Sequence, residues 1–587
     1  MARPRVARAG RARRGDRAAP AAATAGGGRG ARGARRRAPP GGVRAPPRTL
    51  LAGGVAPEVG QRAAGRAGGA GRRAGRVSGR RPAPGGLAAR ALAALALVAL
   101  ALAVGAPASA APPRCPDCLA AGAARVALTV PPGTPLAGYG SLARRLWVPD
   151  VLDRYPHAFW FRPHVGTLDS LAARALVVDD GRERLVWLTA DLIAVTREFT
   201  ARVARALDAA GVRGHLVLSA SHTHSGPGAF LRAGLFGPLA AEREDPAVRE
   251  AVIASLVAAA RHATATLGPA RVGTAVGPGP ALTVGRLPRP VDRELVVVLL
   301  ASPAGRPRAL LWSYPIHGTM LGPRNLQLSG DVMGLAAQAL EQALGVPALY
   351  VNGAVGDVSP ARHGYAEARA AAAALAGAAR DLVSRARPGP PVVAVARRTV
   401  ALPAPRLSVR NCVGAWVPAV IRVPLGWALP DDTELAAGRL GDLRWVTVPG
   451  ELQSALGERI KRARPGRPVL VAGLTNDYLG YFVTAEDYPR PGYVTCATLY
   501  GPEAGARLVG AAVELLAALD DARGTGSAER RQASGQGGLL ARRRVAVQDA
   551  LGDGLVEGAD RRDDGRPRLG TARGERGARR LDRRADA

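Results

Sequence analysis

The fold is decided by His215–Gly228, "HLVLSASHTHSGPG". Its first seven residues read as a strand that ends on small and hydroxyl side chains. Two histidines one residue apart follow, then a turn of Ser, Gly, Pro and Gly. Side chains two apart in extended backbone point the same way, so His222 and His224 share a face. The chain has only eight histidines in 587 residues. Two readings fit this pair: polar residues at a strand end, or one metal ligand and its partner.

Outward from this stretch the pattern repeats. Strand-like runs occur at 125–130, 175–180, 184–191, 294–301, 309–316, 348–354, 392–400 and 443–448. Helical runs occur at 247–267, 331–345, 364–386, 451–463 and 502–522. In the first of these, Val248, Val252, Leu256, Ala259 and Ala263 form one stripe at spacings of three and four. Strands and helices alternate, which predicts an α/β class: a layered catalytic domain with mixed sheets. A foldable region of about 400 residues exceeds one ordinary core, so two lobes or large insertions are expected.

Beyond this region the composition changes. Residues 1–90 carry 22 arginines and two acids, a net of +20, and residues 524–587 carry +5, out of +35 for the whole chain. The middle therefore holds +10. Lys461 is the sole lysine, and heavy Arg, Ala, Gly and Pro usage reads as coding bias before it reads as nucleic-acid recognition. Residues 1–85 lack apolar periodicity and are expected to be a disordered extension that a mis-assigned start codon would explain. Residues 86–110 have the order of a secretory signal: a basic flank, about 15 apolar residues, then Ala108-Ser109-Ala110. Fifteen residues span about 22 Å of helix, short of a roughly 30 Å bilayer core. The expectation is a secreted, periplasmic or cell-surface protein with its domain over 111–523 and a disordered tail over 524–587. Of four cysteines, "CPDC" (115–118) predicts a local disulfide or free thiols, and the pairing of Cys412 and Cys496 stays open.

Other chemistry-bearing residues also follow strand-like runs. His317 in "SYPIHGTML" sits at a strand's C-terminal end, the edge where α/β sheets bind ligands. Glu451 in "WVTVPGEL" is placed at a helix start, where a carboxylate is favoured with or without a functional role. Tyr481 in "NDYLGYFVT" and Tyr493 in "YPRPGY" alone mean nothing. In "YVNGAVGDVSPAR", Gly356 permits a tight turn and Pro360 holds Ser359 extended. That can expose a hydroxyl, or make an ordinary Asx/Ser turn.

Taken together, "SHTHSGPG", "IHGTM" with "LSGD", "GDVSP", "PGE" and "GLTNDYLGYFVTAEDY" with "TLYGPEAG" resemble the neutral/alkaline non-lysosomal ceramidase family. The resemblance covers about residues 125–520. It implies a Zn2+-dependent N-acyl amidohydrolase that cleaves the amide of N-acylsphingosine (ceramide). It further implies His222, His317, Glu451 and Tyr481 as zinc ligands, and Ser359 and His224 as catalytic groups. Arg286 in "VGRLPRPVDREL" and Tyr493 would bind substrate or support the ligands. Either Ser359 attacks the carbonyl, or a metal-activated water does so while Ser359 binds substrate. The expected partner is a lipid amide, with transient contact to a membrane surface and no nucleic acid. The chain departs from the family pattern at Ala361, after Ser359-Pro360, and at Gly285-Arg286-Leu287-Pro288. Another lipid amide or ester is the alternative substrate. A different class of reading is a nucleic-acid or membrane-surface binder acting through the arginine-rich N-terminus.

Overall fold

Runs of Val, Leu and Ala with few charges become strands buried on both faces. The computed structural model describes residues 115–520, apart from 233 and 235. The expected extension (1–85), signal segment (86–110) and tail (524–587) lie outside the described residues.

The first sheet is built from β1 (Leu119–Ala127), β2 (Ala172–Asp179), β3 (Arg184–Ala190), β4 (His215–Ala220), β5 (Gly268–Pro278), β6 (Glu294–Ala301), β7 (Pro307–Ser313) and β8 (Ala348–Tyr350). Their spatial order is β8-β7-β6-β5-β1-β2-β3-β4, and a ninth strand, Arg387–Pro388, pairs with β5. The second sheet runs β9-β10-β11-β12, comprising β9 (Val393–Ala401), β10 (Asp432–Leu440), β11 (Leu443–Thr447) and β12 (Val469–Ala472).

Three neighbouring pairs within these sheets are parallel: β3–β4, β7–β8 and β11–β12. Parallel neighbours need a crossover, and each pair has one helix for it. These are α1 (Arg197–Ala209), α3 (Asp331–Leu344) and α5 (Ser454–Arg462), while α2 (Pro246–Ala265) joins β4 to β5 and α4 (Tyr365–Val383) follows β8. The helices start where the sequence supplies caps. Thr196 accepts from Phe199 N ahead of α1, and Asp245 accepts from Ala247 N and Val248 N ahead of α2, with Pro246 at its first position.

α1 and α2 pack on β2–β4 through Phe199, Val203, Val252 and Leu256, and α3 and α4 pack on β6–β8 through Val332, Ala336 and Leu375. The opposite face of the first sheet meets the second sheet. There Trp187 of β3 and Trp445 of β11 stack edge to face, centroids 5.2 Å apart. α5 and a helix over 504–520 cover the far side of the second sheet. The mixed α/β class holds, with the expected extra size distributed over two facing sheets and several cores.

Some element expectations need correction. β5, β10 and β12 are strands that the sequence reading passed over. "GPARVGTAVGP" and "DTELAAGRL" are poor in β-branched and aromatic residues, and cross-strand pairing outweighs that weak propensity. α1 was also passed over. Glu451 does not open a helix. It lies in a two-residue strand, Glu451–Leu452, because Gln453 is extended (φ −61, ψ 141) and α5 starts at Ser454. "CPDC" forms a disulfide, and Cys412 pairs with Cys496.

A candidate metal centre beside an apolar cleft

β4 and β7 stand far apart in strand order, yet their C-terminal extensions meet. Thr223 and Gly318 form a parallel bridge, and Asn352 Nδ2, just past β8, donates to Ser221 O (3.1 Å) and Ile316 O (3.2 Å). Gly318 is required here. A Cβ on it would lie 2.4 Å from His222 O and 2.7 Å from Thr223 Cα. The bridge sets His222 and His224 beside His317, with ring centroids 4.4 Å (222–317), 4.9 Å (222–224) and 5.2 Å (224–317) apart. His222 has φ 71, a left-handed conformation uncommon outside glycine and frequent at functional sites.

A second short pairing delivers the other donors. Glu451–Leu452 runs parallel to Tyr481–Phe482, with Glu451 opposite Tyr481. The Glu451 carboxylate then lies 3.3 Å from His222 Nε2 and 3.6 Å from His317 Nε2. A third pairing sets Val358–Pro360 antiparallel to Thr283–Gly285, so Ser359 opposes Val284, two residues before Arg286. Arg286 Nε donates to Ser359 Oγ (2.8 Å), and its Nη1 donates to the Tyr481 hydroxyl (3.3 Å). Arg286 thus connects Ser359 to the strand that faces Glu451.

The donor set fits a cation. His222 Nδ1 lies 2.7 Å from Ile193 O, which can only accept, so Nδ1 carries the proton and Nε2 presents a lone pair. That lone pair faces His317 Nε2 at 3.0 Å and a carboxylate. Glu451 Oε2 is buried and receives no hydrogen bond. Acceptors gathered this closely in a buried site repel one another unless a cation or a proton lies between them. The ligand atoms of His222, His224 and His317 all fall within 4.8 Å of one another. His222, His317 and Glu451 are therefore in ligating reach, His224 is a third imidazole beside them, and Tyr481, paired with Glu451, accepts from Arg286 at its hydroxyl and lines the same cleft.

Burial sets the protonation states. It drives His224 well below the usual histidine range, helped by His222, Arg144 and Arg286, and drives His317 down likewise. Both imidazoles are neutral, the form that ligates metals and accepts protons. Burial, then Glu451, pushes the Tyr481 phenol well above its ordinary value. Burial opposes the charge on Arg286, but Tyr481 and Glu451 outweigh it and raise its pKa.

Several supporting residues escaped the sequence reading of the site. Tyr478, three residues before Tyr481, donates its hydroxyl to Glu451 Oε1 (2.9 Å). Tyr139 packs its ring 4.8 Å from that of His224, and Arg144 Nη1 donates to His224 O (2.6 Å). Gly138 lies against the His224 ring at φ 104, and a Cβ there would come within 2.6 Å of Nδ1. The signals were present as "GYG" at 138–140 and the doubled tyrosines of "NDYLGYF".

The centre opens into a cleft of about 400 Å3. Its polar wall holds His222, His224, Glu451, Tyr481 and Tyr493, and its apolar wall holds Ile193, Leu231, Phe236, Leu429, Pro430 and Leu479. Tyr493 is exposed at the mouth, its ring 5.6 Å from that of Tyr481. His317, Arg286 and Ser359 are outside the lining and reach it through His222 and Tyr481.

Residues 163–375 match the family description "Neutral/alkaline non-lysosomal ceramidase, N-terminal". Neutral ceramidase 3 of Arabidopsis thaliana is 36% identical over 92 residues, covering 14% of this chain and 12% of the relative. The neutral ceramidase of Mycobacterium tuberculosis is 27% identical over 202 residues, covering 31% of this chain and 32% of the relative. The chain thus spans less than a third of the length of these two relatives. Two solved structures share the fold at 20% identity, each covering 69% of this chain and 75% of the other. They are a ceramidase complexed with C2, TM-score 0.60, and the neutral ceramidase from Pseudomonas aeruginosa, TM-score 0.59. Residues 163–375 thus carry the N-terminal pattern of the neutral/alkaline non-lysosomal ceramidase family, and the chain shares the fold of the two solved structures.

Proposed function

We propose that the protein is an exported zinc-dependent amidohydrolase that cleaves the amide bond of N-acylsphingosine to a sphingoid base and a free fatty acid. One observation carries the reading. His222 Nε2, His317 Nε2 and the Glu451 carboxylate converge in a buried site that opens into a largely apolar cleft. Imidazole nitrogens with a carboxylate and a phenol oxygen form a borderline N/O donor set suited to zinc. His222, His317, Glu451 and Tyr481 would hold it. When bound, zinc supplies Lewis-acid polarisation of the amide carbonyl.

The chain's own residues account for the rest. The apolar wall takes the hydrocarbon of the substrate and excludes water. Arg286 donates to Ser359 Oγ, so negative charge developing there is stabilised and the hydroxyl proton stays free to leave. Neutral His224 can accept a proton and pass it to the departing amine. Tyr478 and Ile193 O fix the carboxylate and imidazole that face the metal. The two disulfides, Cys115–Cys118 and Cys412–Cys496, support passage through an oxidising compartment. The test is fatty-acid release from a panel of N-acyl amides, combined with metal analysis and mass spectrometry of the native N-terminus. The reading expects ceramide to be the best substrate, about one zinc per chain and a mature start near Ala111. Unchanged ceramide turnover by zinc-free protein would overturn it.

A further inference from the structure

Three of the seven tryptophans are on the surface: Trp147 is 100% exposed, Trp416 80% and Trp427 76%. They belong to two loops, and each loop is fastened to a lip of the cleft. The first loop also exposes Leu142, Val151 and Leu152. Its return strand is tied to the cleft by Glu242, whose carboxylate accepts from Trp160 N (2.9 Å) and Phe161 N (2.8 Å). Glu242 directly follows Ala240 and Ala241, which line the cleft. Arg145 reinforces this tie through Pro238 O.

The second loop is a hairpin, Arg406–Ser408 against Arg422–Pro424, whose tip exposes Trp416 and Val420. Leaving the hairpin, the chain passes Trp427 and becomes the wall at Ala428, Leu429 and Pro430. Gly492 N donates to Asn411 O (2.9 Å), and Cys412 is bonded to Cys496. These links tie the hairpin to the short helix Tyr493–Cys496, which carries Tyr493 at the mouth. Both apolar loops therefore border the same opening.

Charge identifies what covers them. Residues 406–430 contain Arg406, Arg410 and Arg422 and no acid. The 142–155 loop holds Arg144, Arg145 and Arg154 against Asp150 and Asp153, so both loops carry net positive charge. Tryptophans with exposed aliphatic neighbours on loop tips of net positive charge suit the headgroup region of an anionic bilayer. Large apolar side chains exposed in number beside a cleft mark an interaction surface. We infer that the 142–155 loop and the 406–427 hairpin dock the protein on an anionic lipid bilayer with the cleft mouth facing the membrane. This goes beyond the hydrolase reading and stands without it.

The test exploits the placement of tryptophan. None lies in residues 1–114 or 521–587, so tryptophan emission reports on the described domain even in the full chain. Full-length protein is mixed with phosphatidylcholine vesicles, with and without phosphatidylglycerol, carrying brominated acyl chains that quench at the interface. Quenching is expected with phosphatidylglycerol, and it should fall by more than half in Trp147→Ala/Trp416→Ala/Trp427→Ala. Arg406→Gln/Arg422→Gln should weaken binding while leaving the tryptophans in place. The single tryptophan variants, each expected to lose part of the quenching, keep the test decisive if the triple variant misfolds. Vesicle-bound protein without quenching, or quenching that is unchanged in the variants, overturns the inference. So does lipid-free self-association that shields these tryptophans from acrylamide, since a second copy would then be the occupant.

Discussion

At the scale of single residues, two histidines that share one tripeptide are held in different ways. His222 has its Nδ1 on a carbonyl and its Nε2 on the donor cluster, whereas His224 is held from behind by Gly138, Tyr139 and Arg144. His222→Ala should lose bound metal in elemental analysis. His224→Ala should retain metal and lose turnover by about 10²–10⁴-fold, the range for a general acid or base. Equal metal loss in both would remove that division. Gly138→Ala is a second probe. Its new methyl must displace the His224 ring and strain a positive φ, so the expected outcome is low turnover with metal content retained. Arg286→Ala should lower turnover and cost less metal than His222→Ala, because its contacts are to the Ser359 and Tyr481 hydroxyls and leave the two imidazoles and Glu451 in place.

At the scale of elements, the site is assembled by three very short pairings that no periodicity announces. Thr223 with Gly318, Glu451 with Tyr481, and Ser359 with Val284 are contacts of one to three residues between segments distant in sequence. Most long strands and helices are legible because burial on two faces leaves unbroken apolar runs and helix stripes repeat at 3.6, whereas β5, β10 and α1 carry no such run or stripe strong enough to read. Position at strand ends made His222, His224 and His317 legible, and motif order added Ser359, Glu451 and Tyr481. Tyr478, Gly138, Tyr139 and Arg144 act through packing onto another residue, and packing leaves no periodic trace. Glu451 was misplaced onto a helix for the same reason, since its two-residue strand exists only through its partner. The Cys412–Cys496 bond closes a loop across a sequence separation of 84, and a disulfide typically contributes about 2–4 kcal/mol. Cys412→Ser/Cys496→Ser should therefore lower the denaturation midpoint. It should also loosen the helix carrying Tyr493, seen as faster amide exchange over 492–497.

For the whole molecule, two facing sheets joined through Trp187 and Trp445 hold the loops that build the site. Trp445→Ala should cost about 3–5 kcal/mol in chemical denaturation, because the cavity lies between the sheets and neither can close over it. Behind the site, burial raises two carboxyls, Asp169 and Asp331, each to about 6. The folded state then binds more protons than the unfolded state between about pH 4 and 6, so these groups lower stability as pH rises through that window and add no further slope above it. Asp331→Asn should remove its share of the slope in pH-dependent unfolding, and an unchanged slope would contradict the assignment. The central claim is that His222, His317 and Glu451 form one metal centre serving amide cleavage. The most direct measurement pairs zinc content with fatty-acid release from ceramide, for the full-length protein and for Glu451→Ala. The account predicts about one zinc per chain and turnover in the parent, with both lost together in the variant. Ceramide turnover that survives in metal-free Glu451→Ala protein would contradict it.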